Sequence, residues 1–150
     1  MFDGLSSFRR VIVTGPHRSG TTIAAEMIAA DTGKPCIREE SFAFRDIIRA
    51  AAIDSGVIQG PYLLPWLPVL AGPHTAIVYM LRDGAEIDAS VQRLREAGIS
   101  TPLYSWQQGR ALWAAMAPLL PHAQVVRYER LAQHPLWVQD RTGWGHRQTA

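Results

Sequence analysis

The chain has 150 residues, 47% hydrophobic and 19% charged, with a net charge of +2. That balance suits one globular domain with a well-buried core, and it argues against a disordered chain. So small a charge gives no reason to expect nucleic acid as a partner, and the single cysteine, Cys36, excludes an internal disulfide and a cysteine-built metal site.

Positive charge is carried almost wholly by arginine, Lys34 being the only lysine. Arginine suits planar contacts to anions, although a GC-rich genome explains the same bias. Met1–Arg10 lacks an apolar stretch followed by a cleavage signature, and the most apolar run, Tyr62–Ala71, is short and interrupted by Pro65 and Pro68. The expectation is a soluble, cytoplasmic protein.

Apolar runs alternate with helical periodicity. Arg10–Thr14 reads as a strand, and Thr21–Asp31 as a helix with Ile23, Met27 and Ala30 at helical spacing, stopped near Gly33. Pro35–Arg38 reads as a short strand, followed by a helix capped at Ser41 and running through Ile53. Gly56 turns the chain into a third strand, Val57–Gln59, and Tyr62–Leu70 is an irregular helical segment. Thr75–Leu81 is the clearest buried strand; Asp83 and Glu86 then have capping-box spacing ahead of a helix carrying Ile87, Val91 and Leu94. A helix from about Pro102 to Met116 precedes a fifth strand, Ala123–Arg127, and nothing is assigned beyond Pro135. This alternation predicts a three-layer α/β/α fold with five parallel strands in the order 2-3-1-4-5, of the phosphate-binding-loop type, in one domain.

The segment with chemical content is Gly15-Pro16-His17-Arg18-Ser19-Gly20-Thr21-Thr22, which joins the first strand to the first helix. A tight glycine-bounded loop opening a helix aims backbone N–H groups and the positive helix end at an anion. The frame G-x-x-x-x-G-K-[ST] fits at Gly15, Gly20 and Thr22, but Thr21 stands where the lysine belongs. The cation lies inside the loop instead, as Arg18. Ser19, Thr21 and Thr22 add hydroxyls, and His17 either touches a bound phosphate or faces solvent. Arg82, at the carboxyl end of the fourth strand, and Ser90, on the inward helix face, point to a second anion site in the same crevice. Arg82 could instead pair with Asp83 or Glu86. Glu39 and Glu40, after the second strand, are candidate general bases, Glu40 ranking slightly ahead; the competing reading is favourable interaction with a helix start. His74, His122, His134 and His146 have no metal-ligand spacing, and Trp66, Trp106 and Trp113 are expected in the core.

Together, R-S-G-T-T, the Arg82…Ser90 pair and Arg127-Tyr128-Glu129-Arg130-Leu131 resemble the nucleotide-dependent sulfotransferases over about Val11–Leu131. The resemblance implies that 3′-phosphoadenosine-5′-phosphosulfate is the co-substrate. Gly15, His17, Arg18, Ser19, Gly20, Thr21 and Thr22 would hold its 5′-phosphosulfate, while Arg82 and Ser90 would hold its 3′-phosphate. Arg141, in Arg141-Thr142-Gly143-Trp144, resembles a basic residue that helps to hold the 3′-phosphate. Glu40 lies at a distance from the loop similar to that of the catalytic glutamate in the glycan-modifying branch. The implied activity is sulfuryl transfer to a hydroxyl or amine of a small-molecule or glycan-like acceptor, without a metal.

The chain departs from the family in four respects. Family members are usually considerably longer. Gly84 stands where proline is common. Gln59-Gly60-Pro61 replaces a segment that carries a lysine in many members, and the nearby histidine of the cytosolic branch is missing. Two other readings follow from the same residues: a non-catalytic nucleotide- or partner-binding domain, and a degenerate phosphate-binding-loop kinase or NTPase. Phe42, Phe44, Tyr62 and Trp66 allow a partly apolar acceptor pocket or core packing equally.

Overall fold

The computed structural model describes residues 1–42, 46–99, 102–139 and 145–147. Its centre is a five-stranded, all-parallel sheet built from β1 (Arg10–Thr14), β2 (Cys36–Arg38), β3 (Gly56–Gln59), β4 (Thr75–Leu81) and β5 (Ala123–Arg127). The strand order is 2-3-1-4-5, as expected. β1 is flanked by β3, with Val11 beside Val57, and by β4, with Val11 beside Ala76. The loop leaving β1 therefore emerges at the middle of the carboxyl edge, where the chain changes direction across the sheet.

Two cores explain why the central strands read as continuous apolar runs: parallel strands are covered on both faces. On one face Val11, Val13, Val57, Ala76, Val78 and Met80 pack with α1 (Thr21–Thr32) through Ala24, Ala25, Met27 and Ile28. On the other, Ile12, Ile58, Ile77 and Tyr79 pack with Leu63, Leu64, Leu67 and Leu70 of the irregular segment, Ala50 of α2 (Ile47–Ala52), and Met116 of α5 (Trp106–Met116). The irregular segment is a 3₁₀ stretch, Pro61–Trp66, followed by α3 (Leu67–Leu70). The buried face of α1 is rotated from the expected one, since Ala30 is exposed and Ala24 and Ile28 take the inward positions.

Helix ends follow local chemistry more closely than apolar spacing does. α1 stops where Gly33 takes a left-handed conformation, φ 71°. The cap of α2 is Asp46, whose carboxylate accepts from Arg49 N at 3.1 Å, and not Ser41, which lies in a 3₁₀ turn, Glu39–Phe42. α5 starts at Trp106, later than expected, because Ser105 and Gln108 form a reciprocal capping box. Asp83 caps α4 (Gly84–Glu96) by accepting from Ala85 N and Glu86 N, but Glu86 turns to Arg82 instead of completing the box.

Beyond Pro135, β6 (Trp137–Gln139) pairs antiparallel with β7 (Gly145–Arg147). This region is tied to α1 through Asp31. Its carboxylate accepts from Phe2 N at 2.8 Å and from His134 Nε2 at 2.9 Å. Leu136 N donates to His134 Nδ1, which assigns the ring proton to Nε2. Trp66 departs from the core expectation, being 46% exposed, while Trp113 stacks on Tyr79 at 4.6 Å. Among the described residues, no helix is long and apolar enough to cross a membrane.

Candidate functional site

The loop 15–20 is built from backbone conformations that few residues adopt. Gly15 and Gly20 have φ of 146° and 96°, and Arg18, at 67°, is the one non-glycine with positive φ among the described residues. An arginine there costs about 1–2 kcal/mol, an outlay that points to function at this position. Ser19 is fully buried and donates its hydroxyl to Pro16 O at 2.6 Å, so it braces the loop from within. Gly20 precedes α1 without any side-chain cap, leaving the first N–H groups of the helix directed at the loop's concavity.

Arg18 and the two residues expected of a second anion site meet. Arg18 Nε donates to Ser90 Oγ at 2.8 Å, and Arg82 Nη1 donates to Arg18 O at 2.8 Å. α4 thus lies across the loop, and its buried Ser90 is delivered to the loop's own cation. Arg82 also pairs with Glu86 at 3.2 Å and stacks over the Tyr128 ring at 4.0 Å, so the pairing with Glu86 and the contact with the loop coexist. Desolvation, reinforced by Arg82 and Arg93, lowers the Arg18 pKa. Clustered cations beside an uncapped helix start are an arrangement suited to an anion. The Tyr128 ring lies 2.6 Å from where a Cβ on Gly20 would stand, which places the Tyr128–Leu131 segment beside the loop.

Below the loop, a cavity of about 210 Å³ is lined by His17, Arg18, Thr21, Thr22, Glu39, Gln59 and Tyr62, among others. Glu39 faces it and Glu40 is exposed, the reverse of their ranking by sequence. Burial, and secondarily the charge of Glu40, raises the Glu39 pKa to about 7. Its Oε2 is buried without a hydrogen-bond partner. A carboxyl in that setting is suited to taking a proton near neutral pH. His17, half-buried, lines the cavity edge-on to Tyr62 at 5.0 Å and Tyr104 at 6.2 Å. Arg141 and Phe44 lie outside the described residues.

Two supporting residues carried no signal in the sequence. Tyr104 is buried, and its hydroxyl lies 2.8 Å from Gly15 O and 2.6 Å from Pro61 O, clamping the ends of β1 and β3 together. Burial pushes its pKa upward, keeping the proton available. Replacing Tyr104 with phenylalanine is expected to cost about 1–3 kcal/mol in chemical denaturation. Tyr79→Phe is the control: its buried hydroxyl has no hydrogen-bond partner, so its loss should be near neutral. The second supporting residue is Trp106, whose indole packs directly on the Cα of Gly84, donates to Asp88 at 3.2 Å and lies under Arg110. Arg110 Nη2 in turn donates to Arg82 O at 2.8 Å. Any side chain at position 84 would collide with the indole, which accounts for glycine at this helix start.

In comparisons with known proteins, the chain matches no family model and no curated protein sequence.

Proposed function

We propose that the chain is a sulfotransferase that moves a sulfuryl group from 3′-phosphoadenosine-5′-phosphosulfate to a hydroxyl or amine. The observation that carries this reading is the meeting of Arg18, Arg82 and Ser90 through two 2.8 Å hydrogen bonds. Two sets of anion-binding groups that touch one another, the loop with Arg18 and the pair Arg82 and Ser90, suit a nucleotide phosphorylated at both 5′ and 3′ positions. A triphosphate would need cations in line with the loop, and the lysine for that role is replaced by Thr21.

In the proposed reaction the acceptor oxygen or nitrogen attacks sulfur while the bond from sulfur to the 5′-phosphate oxygen breaks. The leaving group is 3′-phosphoadenosine 5′-phosphate. Arg18 and the loop N–H groups stabilise the charge that builds on its 5′-phosphate. Glu39 takes the acceptor proton. Glu39 lines the same cavity as Thr21 and Thr22, whereas Glu40 serves by raising the Glu39 pKa.

The test is a comparison of thermal stabilisation by 3′-phosphoadenosine 5′-phosphate, ADP and ATP with Mg²⁺ at matched concentration. The first should stabilise most; equal shifts would remove the basis for this donor. Arg82→Ala should weaken binding of the bisphosphate about 10–100-fold and of ADP by a smaller factor, since both lose the bracing of Arg18 O by Arg82 and only the bisphosphate also loses a charge-assisted contact to its 3′-phosphate. An Arg82→Ala protein that binds both nucleotides as before would rule out the anchoring role.

A further inference from the structure

Gln59 is 2% exposed at the end of β3, where many sulfotransferases carry a lysine. Its amide lies between two groups whose hydrogen-bonding roles can be assigned. The backbone N–H of Glu39 can only donate, and it faces Gln59 Oε1 at 3.5 Å. That contact turns Gln59 Nε2 towards Thr21 Oγ1, 2.9 Å away. An amide N–H also only donates, so Thr21 Oγ1 is the acceptor of that bond. The single Thr21 hydroxyl proton is therefore directed elsewhere. Thr21 is 5% exposed, lines the cavity under the loop, and makes no hydrogen bond as a donor among the described residues.

We propose that Gln59 is the positioning residue of the anion site, holding the Thr21 hydroxyl as a donor towards an oxyanion in the loop. The chain of donors runs from Glu39 N–H through the Gln59 amide to Thr21 and ends at the anion. It supplies an oriented neutral donor at the position where a kinase-type loop has an ammonium. A fully deprotonated tetrahedral oxygen satisfies such a donor, whereas a protonated oxygen offers it a second, competing donor. The proposal rests on the anion-binding reading of the loop and is independent of whether the chain transfers sulfuryl groups.

Titration calorimetry with two probes, 3′-phosphoadenosine 5′-phosphate and inorganic pyrophosphate, tests the proposal. Thr21→Val should weaken binding of both about 10–100-fold, and Thr21→Ser should restore it to within about threefold. Gln59→Met should weaken binding about 3–10-fold in the wild-type background and have no further effect when combined with Thr21→Val. A purely structural Gln59 would cost the same factor with or without the Thr21 hydroxyl, and that result overturns the proposal. Should Gln59→Met fail to fold, the near-isosteric Gln59→Glu serves: its carboxylate would draw the Thr21 proton away from the anion. Unchanged pyrophosphate affinity in Gln59→Glu would likewise overturn the proposal. If pyrophosphate binding shows the Gln59–Thr21 coupling but the bisphosphate binds no better than ADP, the sulfotransferase reading falls and the role of Gln59 stands. A wild-type protein that binds neither probe refutes both.

Discussion

Glu39→Gln is expected to lower turnover about 10²–10⁴-fold, the usual contribution of a positioned general base, and at the same time to make the protein more stable at alkaline pH. The two effects have one cause. Burial raises the Glu39 pKa from 4.5 to about 7, so the folded chain holds this carboxyl protonated longer than the unfolded chain does. Below the unfolded value both states are neutral and the residue carries no ionisation penalty. As pH rises from 4.5 towards 7 the unfolded state releases its proton first, and stability falls; above about 7 the penalty is complete and constant. The glutamine variant escapes it. For a half-buried group screened by solvent the gain is on the order of 1–2 kcal/mol at pH 8.5, or roughly 3–6 °C in Tm for a chain of this size. Paired thermal melts at pH 5 and pH 8.5 measure it. A gain of equal size at both values would mean that the carboxyl is not carrying a raised pKa. The wild-type rate should rise through about pH 7 as the carboxylate forms, with Glu40→Gln shifting that limb downward because the neighbouring charge is removed.

The fold was legible because the signals that define it are local. β4 and β5 begin and end where the sequence places them: β4 is a covered parallel strand and so an unbroken apolar run, while β5 is a short edge strand with Gln124, Val125 and Arg127 exposed. The loop was legible for the same reason: Gly15 and Gly20 carry their conformational demand in their own identities, although nothing in the residue type announces the left-handed Arg18. Arg82 and Ser90 could be placed by topology alone, one at a strand's carboxyl end and one on the inward helix face. The features that pattern did not fix depend on contacts distant in sequence or on a phase that no period sets. Glu39 and Glu40 are adjacent in a 3₁₀ turn too short to define an inner face, so pattern could not say which would enter the cavity. Ser41 and Asp46 are both good caps, and the choice between them falls to the chain's path after β2. Tyr104 meets Gly15 and Pro61 across 89 and 43 residues, which nothing near Tyr104 announces. Gln59 was visible only as a missing lysine. Its two hydrogen bonds, from Glu39 N and to Thr21 Oγ1, join residues 20 and 38 positions away.

Gly20→Ala is expected to be a damaging single-methyl change in the loop, because two costs coincide there. The backbone has φ 96°, a conformation that disfavours any side chain, and the new Cβ would stand 2.6 Å from the Tyr128 ring. The first cost is about 1–2 kcal/mol. Displacing a ring that also carries Arg82 over its face adds about 1–3 kcal/mol. Gly33→Ala separates them: Gly33 is also left-handed, φ 71°, but nothing lies within 4 Å of the added methyl. It should lose only the backbone cost. The difference between the two variants, read from denaturant midpoints at constant slope, is the contact with Tyr128. Because moving that ring also moves Arg82, Gly20→Ala should weaken binding of 3′-phosphoadenosine 5′-phosphate at temperatures where the protein is still folded, while Gly33→Ala should not. Equal stability losses in the two variants would show that Tyr128 yields freely. The segment after β5 would then be a neighbour of the loop without holding it.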